Sequence, residues 1–61
     1  MRVIHLLWAC KPTQRVRIIH NGIEEFCGKV SDALKIPSGD HRMTSKITSI
    51  EAKVTTIFIY Y

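Results

Sequence analysis

The sequence has only two cysteines and no hydrophobic run near the roughly 18 residues of a membrane span. Cys10 and Cys27 allow one disulfide at most, whereas small secreted domains usually carry several. We therefore expect two reduced thiols and a cytoplasmic protein. The apolar run from Val3 to Ala9 follows Arg2 as in an export signal, but it is short and includes a histidine and the bulky Trp8. We do not interpret it as a signal.

The chain of 61 residues is short and basic. Residues 1–61 fit a single domain with no room for a linker, and we find no internal repeat. A domain of this size buries only about 60% of its unfolded surface, so we expect a monomer of low stability. Nine Lys and Arg against five Asp and Glu give a formal net charge of +4. This charge favours acidic partners, and it is compatible with nucleic acid without requiring it.

Two segments near the N-terminus have the composition of strands. Residues 2–8 are apolar at nearly every position, which predicts a strand covered on both faces. A turn at Pro12 separates it from residues 14–20. There, apolar side chains alternate with arginines and point to opposite faces: Val16 and Ile18 on one, Arg15 and Arg17 on the other. The two segments together predict a hairpin.

The dipeptide Asn21-Gly22 is compatible with two different structures. It is a favoured type I′ hairpin turn, which would make residues 23–30 a third strand. Asn21 can also cap a helix, with Glu24 at the capping-box position. The apolar residues from Ile23 to Leu34 recur at helical spacing, and Pro37 ends the run. We therefore predict a helix from about 22 to 36, with the strand as the alternative.

The C-terminal half begins with a polar segment and ends in strand-forming residues. Residues 37–45 predict the one loop long enough to move or to reach a partner. Residues 46–61 are rich in β-branched and aromatic side chains, and form one long strand or two with a break at residues 51–53. The order β-β-α-β or β-β-α-β-β predicts an α+β fold. In it, one helix lies on one face of a small antiparallel sheet of three to four strands.

A single helix can cover only one face of such a sheet. The first and last predicted strands carry large apolar side chains on both sides, so the second face would expose an extensive apolar patch. The simplest cover is a second copy related by two-fold symmetry, and we expect a homodimer. A larger protein or a ligand docked on that face is the other solution.

No motif in the sequence points to catalysis or to a metal. The possible metal ligands lack the paired short spacings of zinc sites: His5, His20, His41, Cys10 and Cys27. Cys27 and His20 are the closest thiol and imidazole, but Cys27 lies on the helix face that we predict to be buried, where thiols are usually inert. The adjacent Glu24 and Glu25 are explained by the helix dipole. We predict no enzyme activity, no cofactor and no metal.

These observations favour a small non-enzymatic binding protein that inhibits or modulates a larger protein. Such proteins are often encoded by phages and other mobile elements to act on host enzymes or defence systems. We expect its contacts from the predicted loop and the aromatic C-terminus: Asp40, His41, Arg42, Lys46, Tyr60 and Tyr61. The alternative is a small basic nucleic-acid-binding protein. Its charges would come from Arg15, Arg17, Arg42 and Lys46, and its stacking surfaces from Trp8, Tyr60 and Tyr61.

Overall fold

A computed structural model describes residues 1–61 and shows a four-stranded sheet with three short helices. In chain order the elements are α1 (Val3–Ala9), β1 (Arg15–His20), β2 (Ile23–Lys29), α2 (Val30–Ala33), α3 (His41–Thr44), β3 (Ser49–Lys53) and β4 (Thr56–Tyr60). The predicted α+β class and a sheet within the predicted three to four strands are confirmed, although the four strands are not all the segments that we predicted. The order of elements differs from the prediction, because a helix begins the chain. The sheet is also mixed and not wholly antiparallel, because β1 and β4 run parallel.

The strands lie in the order β2-β1-β4-β3. The two central strands, β1 and β4, run parallel, with Ile18 beside Ile59. Each edge strand pairs antiparallel with its central neighbour. The pairing of β1 with β2 shifts between Ile18 and Ile19, which face Phe26 and Glu24 respectively. Glu25 is therefore the extra residue of a β-bulge, and its side chain is redirected relative to its neighbours.

Residues 2–8 form α1 instead of the predicted first strand. The side chains that face the core recur at helical spacing: Val3, Ile4, Leu6, Leu7 and Cys10. His5 and Trp8 lie on the exposed side of the helix. Arg2 directly precedes α1, and its guanidinium donates a hydrogen bond to the carbonyl of Thr44. A helix of seven residues is unstable alone, so tertiary packing stabilises it, and composition does not reveal that packing.

Residues 23–29 form β2, so the first half of the predicted helix is wrong and the hairpin alternative is correct. Asn21 and Gly22 have φ values of 52° and 78°, as a type I′ turn requires. Within β2, a Cβ added at Gly28 would lie 3.2 Å from the ring of Phe26. That glycine therefore leaves room for an aromatic side chain. Only residues 30–33 are helical, as α2.

The segment 37–45 is anchored to the core and is not the free loop that we predicted. It contains α3, whose first turn is capped by Asp40, with Oδ1 accepting the N–H of Arg42 at 2.9 Å. Met43, one residue further on, is fully buried. Residues 46–61 form two strands, the second of the two alternatives. The turn lies at Val54-Thr55, just beyond the predicted break.

The core lies on one side of the sheet. Val16, Ile18 and Ile59 point into it from the central strands. They meet fully buried side chains from the three helices: Val3, Leu7, Val30, Ala33 and Met43. Since side chains alternate along a strand, the neighbours of these strand residues point the opposite way. We call the opposite side, which no helix covers, the open face.

The open face is not the extensive apolar patch that the sequence predicted. The large exposed hydrophobic side chains lie at the chain start, on the helices, in turns and at the rim of the sheet: Met1, Trp8, Ile23, Leu34, Ile50 and Val54. The prediction required residues 2–8 to be a strand, and these residues instead supply the core with α1. Neither face of the sheet therefore exposes an extensive apolar surface that a second copy would have to cover. None of the helices has the length and apolar composition to span a membrane.

Candidate functional site

Three rows of side chains cross the open face from one edge of the sheet to the other. The register of the strands places one residue from each strand in every row. The first, which we call the basic row, consists of Lys29, Arg15, Thr56 and Lys53. The middle row consists of Cys27, Arg17, Phe58 and Glu51. The third row consists of Glu24, Ile19, Tyr60 and Ser49.

The basic row contains two cations with no compensating acid. Arg15 and Lys29 are directly opposite in the β1–β2 ladder, where Cβ atoms lie about 4.5–5.5 Å apart. Neither side chain belongs to any of the salt bridges of the chain. Lys53, at the far edge, is 3.2 Å from Glu51 in the middle row. Like charges directly opposite each other destabilise a sheet, so this end of the open face carries an unpaired positive charge at a cost to stability.

Phe58 occupies the centre of the open face between two cations. The guanidinium carbon of Arg17 lies 5.5 Å from the ring centroid, and the Nζ of Lys53 lies 5.2 Å from it. Both distances are within cation–π range. Tyr60 follows on the same strand and the same face, about 6.6 Å further along. Its hydroxyl is 3.4 Å from Glu51. The face thus presents two aromatic rings among four basic side chains and two glutamates, which pair with Arg17 and Lys53.

A second group of polar side chains lies at one end of the core side. We call it the end cluster, and its members are His20, Glu25, Asp40, His41, Arg42 and Tyr61. Arg42 donates to both carboxylate oxygens of Asp40 at 3.0 Å. It also donates to the carbonyl of Glu25 at 3.3 Å. The hydroxyl of Tyr61 donates to the Oε1 of Glu25 at 3.4 Å. These bonds join α3 to the bulge of β2 and to the C-terminal residue.

The contacts of the end cluster shift three pKa values. Hydrogen bonds from the side chain and backbone of Arg42 hold the pKa of Asp40 well below its usual 3.8. The same side-chain bond raises the pKa of Arg42. Burial, followed by the charge of Glu25, raises the pKa of Tyr61. The shifts of Asp40 and Arg42 favour the charged forms that both groups have at neutral pH, so their pairing stabilises the fold. The shift of Tyr61 keeps its hydroxyl protonated at neutral pH.

Two histidines flank Tyr61 in the end cluster. The ring of His20 stacks on it with centroids 4.5 Å apart, and the Nδ1 of His20 lies 2.7 Å from the carbonyl oxygen of Tyr61. The Nε2 of His41 lies 3.4 Å from the Oε1 of Glu25. The surface has no pocket, here or elsewhere, and no three His, Cys, Asp or Glu side chains converge as metal ligands.

The structure separates the residues that the sequence nominated for partner contacts. Four lie in the end cluster: Asp40, His41, Arg42 and Tyr61. Three lie together on the open face: Arg15, Arg17 and Tyr60. Lys46 belongs to neither group, since it is exposed and bridges the backbone of Arg2. The nominated nucleic-acid residues Arg15 and Arg17 are thus brought together, although Arg17 pairs with Glu24 at 3.4 Å. Arg42 is occupied by its bonds to Asp40.

Cys27 is exposed on the open face and not buried as predicted. It lies beside Arg17 in the middle of β1, whereas His20 is the last residue of β1 and is stacked on Tyr61, so the two do not form a thiol–imidazole pair. Both cysteines are free. Sequence analysis missed Lys29, Lys53 and Phe58 as members of one surface. Their strand alternation was a visible signal, but the register that joins them requires the sheet order.

Comparison with known proteins provides no relative: no family model, no curated protein and no solved structure matches this chain. A fold of this general class supports many functions, so the fold alone assigns none.

Proposed function

We propose that the chain is a small non-enzymatic binding protein whose open face binds single-stranded nucleic acid. The observation that carries this proposal is the uncompensated pair of Arg15 and Lys29, which lies on the same face as two aromatic rings. Proteins that bind single strands combine a positive surface for the backbone with aromatic side chains for the bases. The open face supplies both within one rigid sheet.

The rows give each part of the ligand a place to bind. Phosphates interact with the basic row, where Thr56 adds a hydroxyl donor between Arg15 and Lys53. Bases stack against Phe58 and Tyr60, and this contact is tolerant of sequence because every base has a π-face. Four strands about 4.8 Å apart form a surface about 14 Å wide. This is wider than the roughly 12 Å major groove, which favours a single strand over a duplex.

Salt dependence tests the electrostatic part of the proposal. We expect a mixed-sequence 20-nucleotide single strand to bind at low salt, with an affinity that falls linearly on a logarithmic plot against salt. Arg15→Ala and Lys29→Ala should each lower the magnitude of that slope by about 0.7. Lys35→Ala is the matched control, because it removes the same charge from the α2 side, where Lys35 pairs with Asp32 at 3.5 Å. Equal effects of Lys29→Ala and Lys35→Ala would refute the proposed site.

Stacking is tested separately with neutral substitutions. Tyr60→Ala should weaken binding by about 1–3 kcal/mol if one base stacks on its ring. Phe58→Leu keeps an apolar side chain between Arg17 and Lys53 but removes the flat ring, and should cost a similar amount. Circular dichroism and thermal unfolding of each variant check that the fold is kept. Unchanged affinity in both variants would show that the aromatic rings do not contact bases.

The second candidate is an inhibitor or modulator of a larger protein, encoded by a phage or another mobile element. Trp8 favours it, because this side chain on α1 is 65% exposed and its ring centroid is 5.8 Å from that of His5. Tryptophan is among the residues most enriched at binding hot spots. A protein partner held in this way should stay bound at about 0.3 M salt. Trp8→Ala should release it, whereas Lys29→Ala should not.

We also propose that the chain functions in the cytoplasm, whichever partner it binds. The two free thiols support this proposal, since an exposed Cys27 is maintained most readily in a reducing compartment. Alkylation of intact cells under non-reducing conditions tests it. We expect Cys27 to react with a maleimide reagent without prior reduction, and a mixed disulfide at this position would argue for an oxidising compartment.

A further inference from the structure

The two edges of the sheet differ in their protection. At the β2 edge, the carbonyl of Glu25 accepts a hydrogen bond from Arg42, and α2 follows directly from the strand. At the β3 edge, all five residues from Ser49 to Lys53 are exposed. An open edge presents unpaired N–H and C=O groups that can pair with another strand. The β3 edge is thus the place where the sheet can be extended.

The turn at Val54-Thr55 determines which backbone groups are free. Lys53 and Thr56 flank a two-residue loop and form a hydrogen-bonded pair. Because such pairs alternate with non-bonded pairs along an antiparallel ladder, Glu51 also bonds to β4. Ile50 and Ala52 therefore direct their N–H and C=O groups to the open edge.

We propose that β3 pairs antiparallel with β3 of a second copy of this chain, with Ala52 at the two-fold axis. In this register Glu51 of each copy faces Lys53 of the other, so two opposite-charge pairs form across the junction. The fully exposed Val54 lies in the turn just beyond Lys53, so it comes close to Ile50 of the other copy. Two of the large exposed apolar side chains thereby gain a neighbour.

The charges of Glu51 and Lys53 favour this register over the two in which Glu51 or Ile50 lies on the axis. A shift that places Glu51 on the axis sets two glutamates against each other, which destabilises a sheet. A shift that places Ile50 on the axis sets Glu51 against Ser49 and gains no charge pair. Glu51 and Lys53 already lie 3.2 Å apart within one chain, so the paired edges form a compact cluster of four alternating charges.

Edge pairing of this kind creates a single sheet of eight strands. The two-fold axis is perpendicular to the sheet, so both open faces lie on the same side and form a continuous surface. The pairing itself does not depend on what the open face binds. Its consequence, a doubled site for single-stranded nucleic acid, rests on the proposed function above.

Charge exchange between copies tests the register. The natural chain should sediment as a 7.0 kDa monomer when dilute and approach twice that mass when concentrated. Glu51→Lys and Lys53→Glu should each raise the dimer dissociation constant by roughly tenfold or more, because each replaces attraction by repulsion. A mixture of the two single variants should form a heterodimer, since every pair across the junction is then attractive. The double variant with both changes should dimerise as the natural chain does.

Two further variants keep the test independent of folding and of nucleic acid. Ala52→Pro removes an N–H that points to the open edge, and should abolish the dimer while the circular dichroism of the monomer is retained. Lys35→Glu reverses a charge just after α2, away from the β3 edge, and should leave the dimer unchanged. A monomer at every concentration would overturn the proposal, as would a dimer that persists in both single charge variants. Because sedimentation is measured without oligonucleotide, neither result bears on the proposed ligand.

Discussion

Arg15 and Lys29 are directly opposite each other in an antiparallel strand pair, on the face of the sheet that no helix covers. Neither side chain has an acidic partner within the chain. A like-charge pair in this position costs about 0.2–1 kcal/mol of stability. Sites that sacrifice stability in this way are characteristic of functional surfaces, and this pair is the basis of the proposed anion-binding role.

The first prediction concerns the cost of that pair. Lys29→Gln should raise the free energy of unfolding by about 0.2–1 kcal/mol in urea titrations, because it keeps a polar side chain and removes the repulsion. The same variant should bind single-stranded nucleic acid more weakly. Lys35→Gln should not stabilise the chain, because it removes an attractive pair with Asp32. A destabilised Lys29→Gln variant would contradict the account.

The second prediction follows from the lowered pKa of Asp40. A carboxyl whose pKa is lower in the folded than in the unfolded state adds stability above the unfolded value, and that stability is lost as the pH falls below it. The natural chain should therefore lose stability as the pH drops below about 3.8. Asp40→Asn should be less stable at neutral pH and should lose less on acidification. Parallel acid profiles of the two proteins would show that the ion pair with Arg42 contributes little.

The third prediction concerns the turn between β3 and β4. Val54 has a φ of 52° and is fully exposed. A β-branched residue in this conformation is strained by about 1–2 kcal/mol, and glycine is not. Val54→Gly should raise the free energy of unfolding by about 1 kcal/mol, since no buried contact is lost. Val54→Ile keeps the branching and should bring no gain. Equal stability of the glycine and isoleucine variants would place this residue outside the strained region.

The helical structure of residues 3–9 gives a fourth prediction. Leu7 is fully buried and Trp8 is largely exposed. Leu7→Ala should therefore cost about 2–5 kcal/mol, whereas Trp8→Ala should change stability by no more than about 0.5 kcal/mol. If residues 2–8 formed a strand covered on both faces, both substitutions would cause a large loss of stability. A large loss of stability in Trp8→Ala would favour the strand that the composition predicted.

The sequence predicted the centre of the sheet better than its surroundings. β1 was predicted within one residue, with Val16 and Ile18 on the core side and Arg15 and Arg17 on the other. Its alternation of apolar and charged residues has only one structural solution. The two C-terminal strands were one of two stated alternatives.

The two wrong elements have a common physical cause. Residues 2–8 are apolar at nearly every position, which fits helix and strand alike, while the apolar residues of 22–36 recur at helical spacing. In both segments, only tertiary contacts decide the structure. Residue 22 lies in a type I′ turn, so the chain reverses there and residues 23–29 pair with β1. Phe26 and Val30 then contact the same core, one from a strand and the other from a helix. In the sequence, their spacing is that of one face of a single helix. The residues of the open face could not be grouped from the sequence, because the rows depend on the order of the strands in the sheet.

Side-chain NMR of the ring protons provides the most direct test of the central claim, that the open face is the binding surface. Phe58 and Tyr60 lie on the open face, while Phe26 and Tyr61 lie on the core side and serve as matched internal controls. On addition of a mixed-sequence single-stranded oligonucleotide at low salt, we expect the ring signals of Phe58 and Tyr60 to shift and those of Phe26 and Tyr61 to stay in place. Shifts confined to Trp8 or Tyr61, or no shifts at all, would contradict the account.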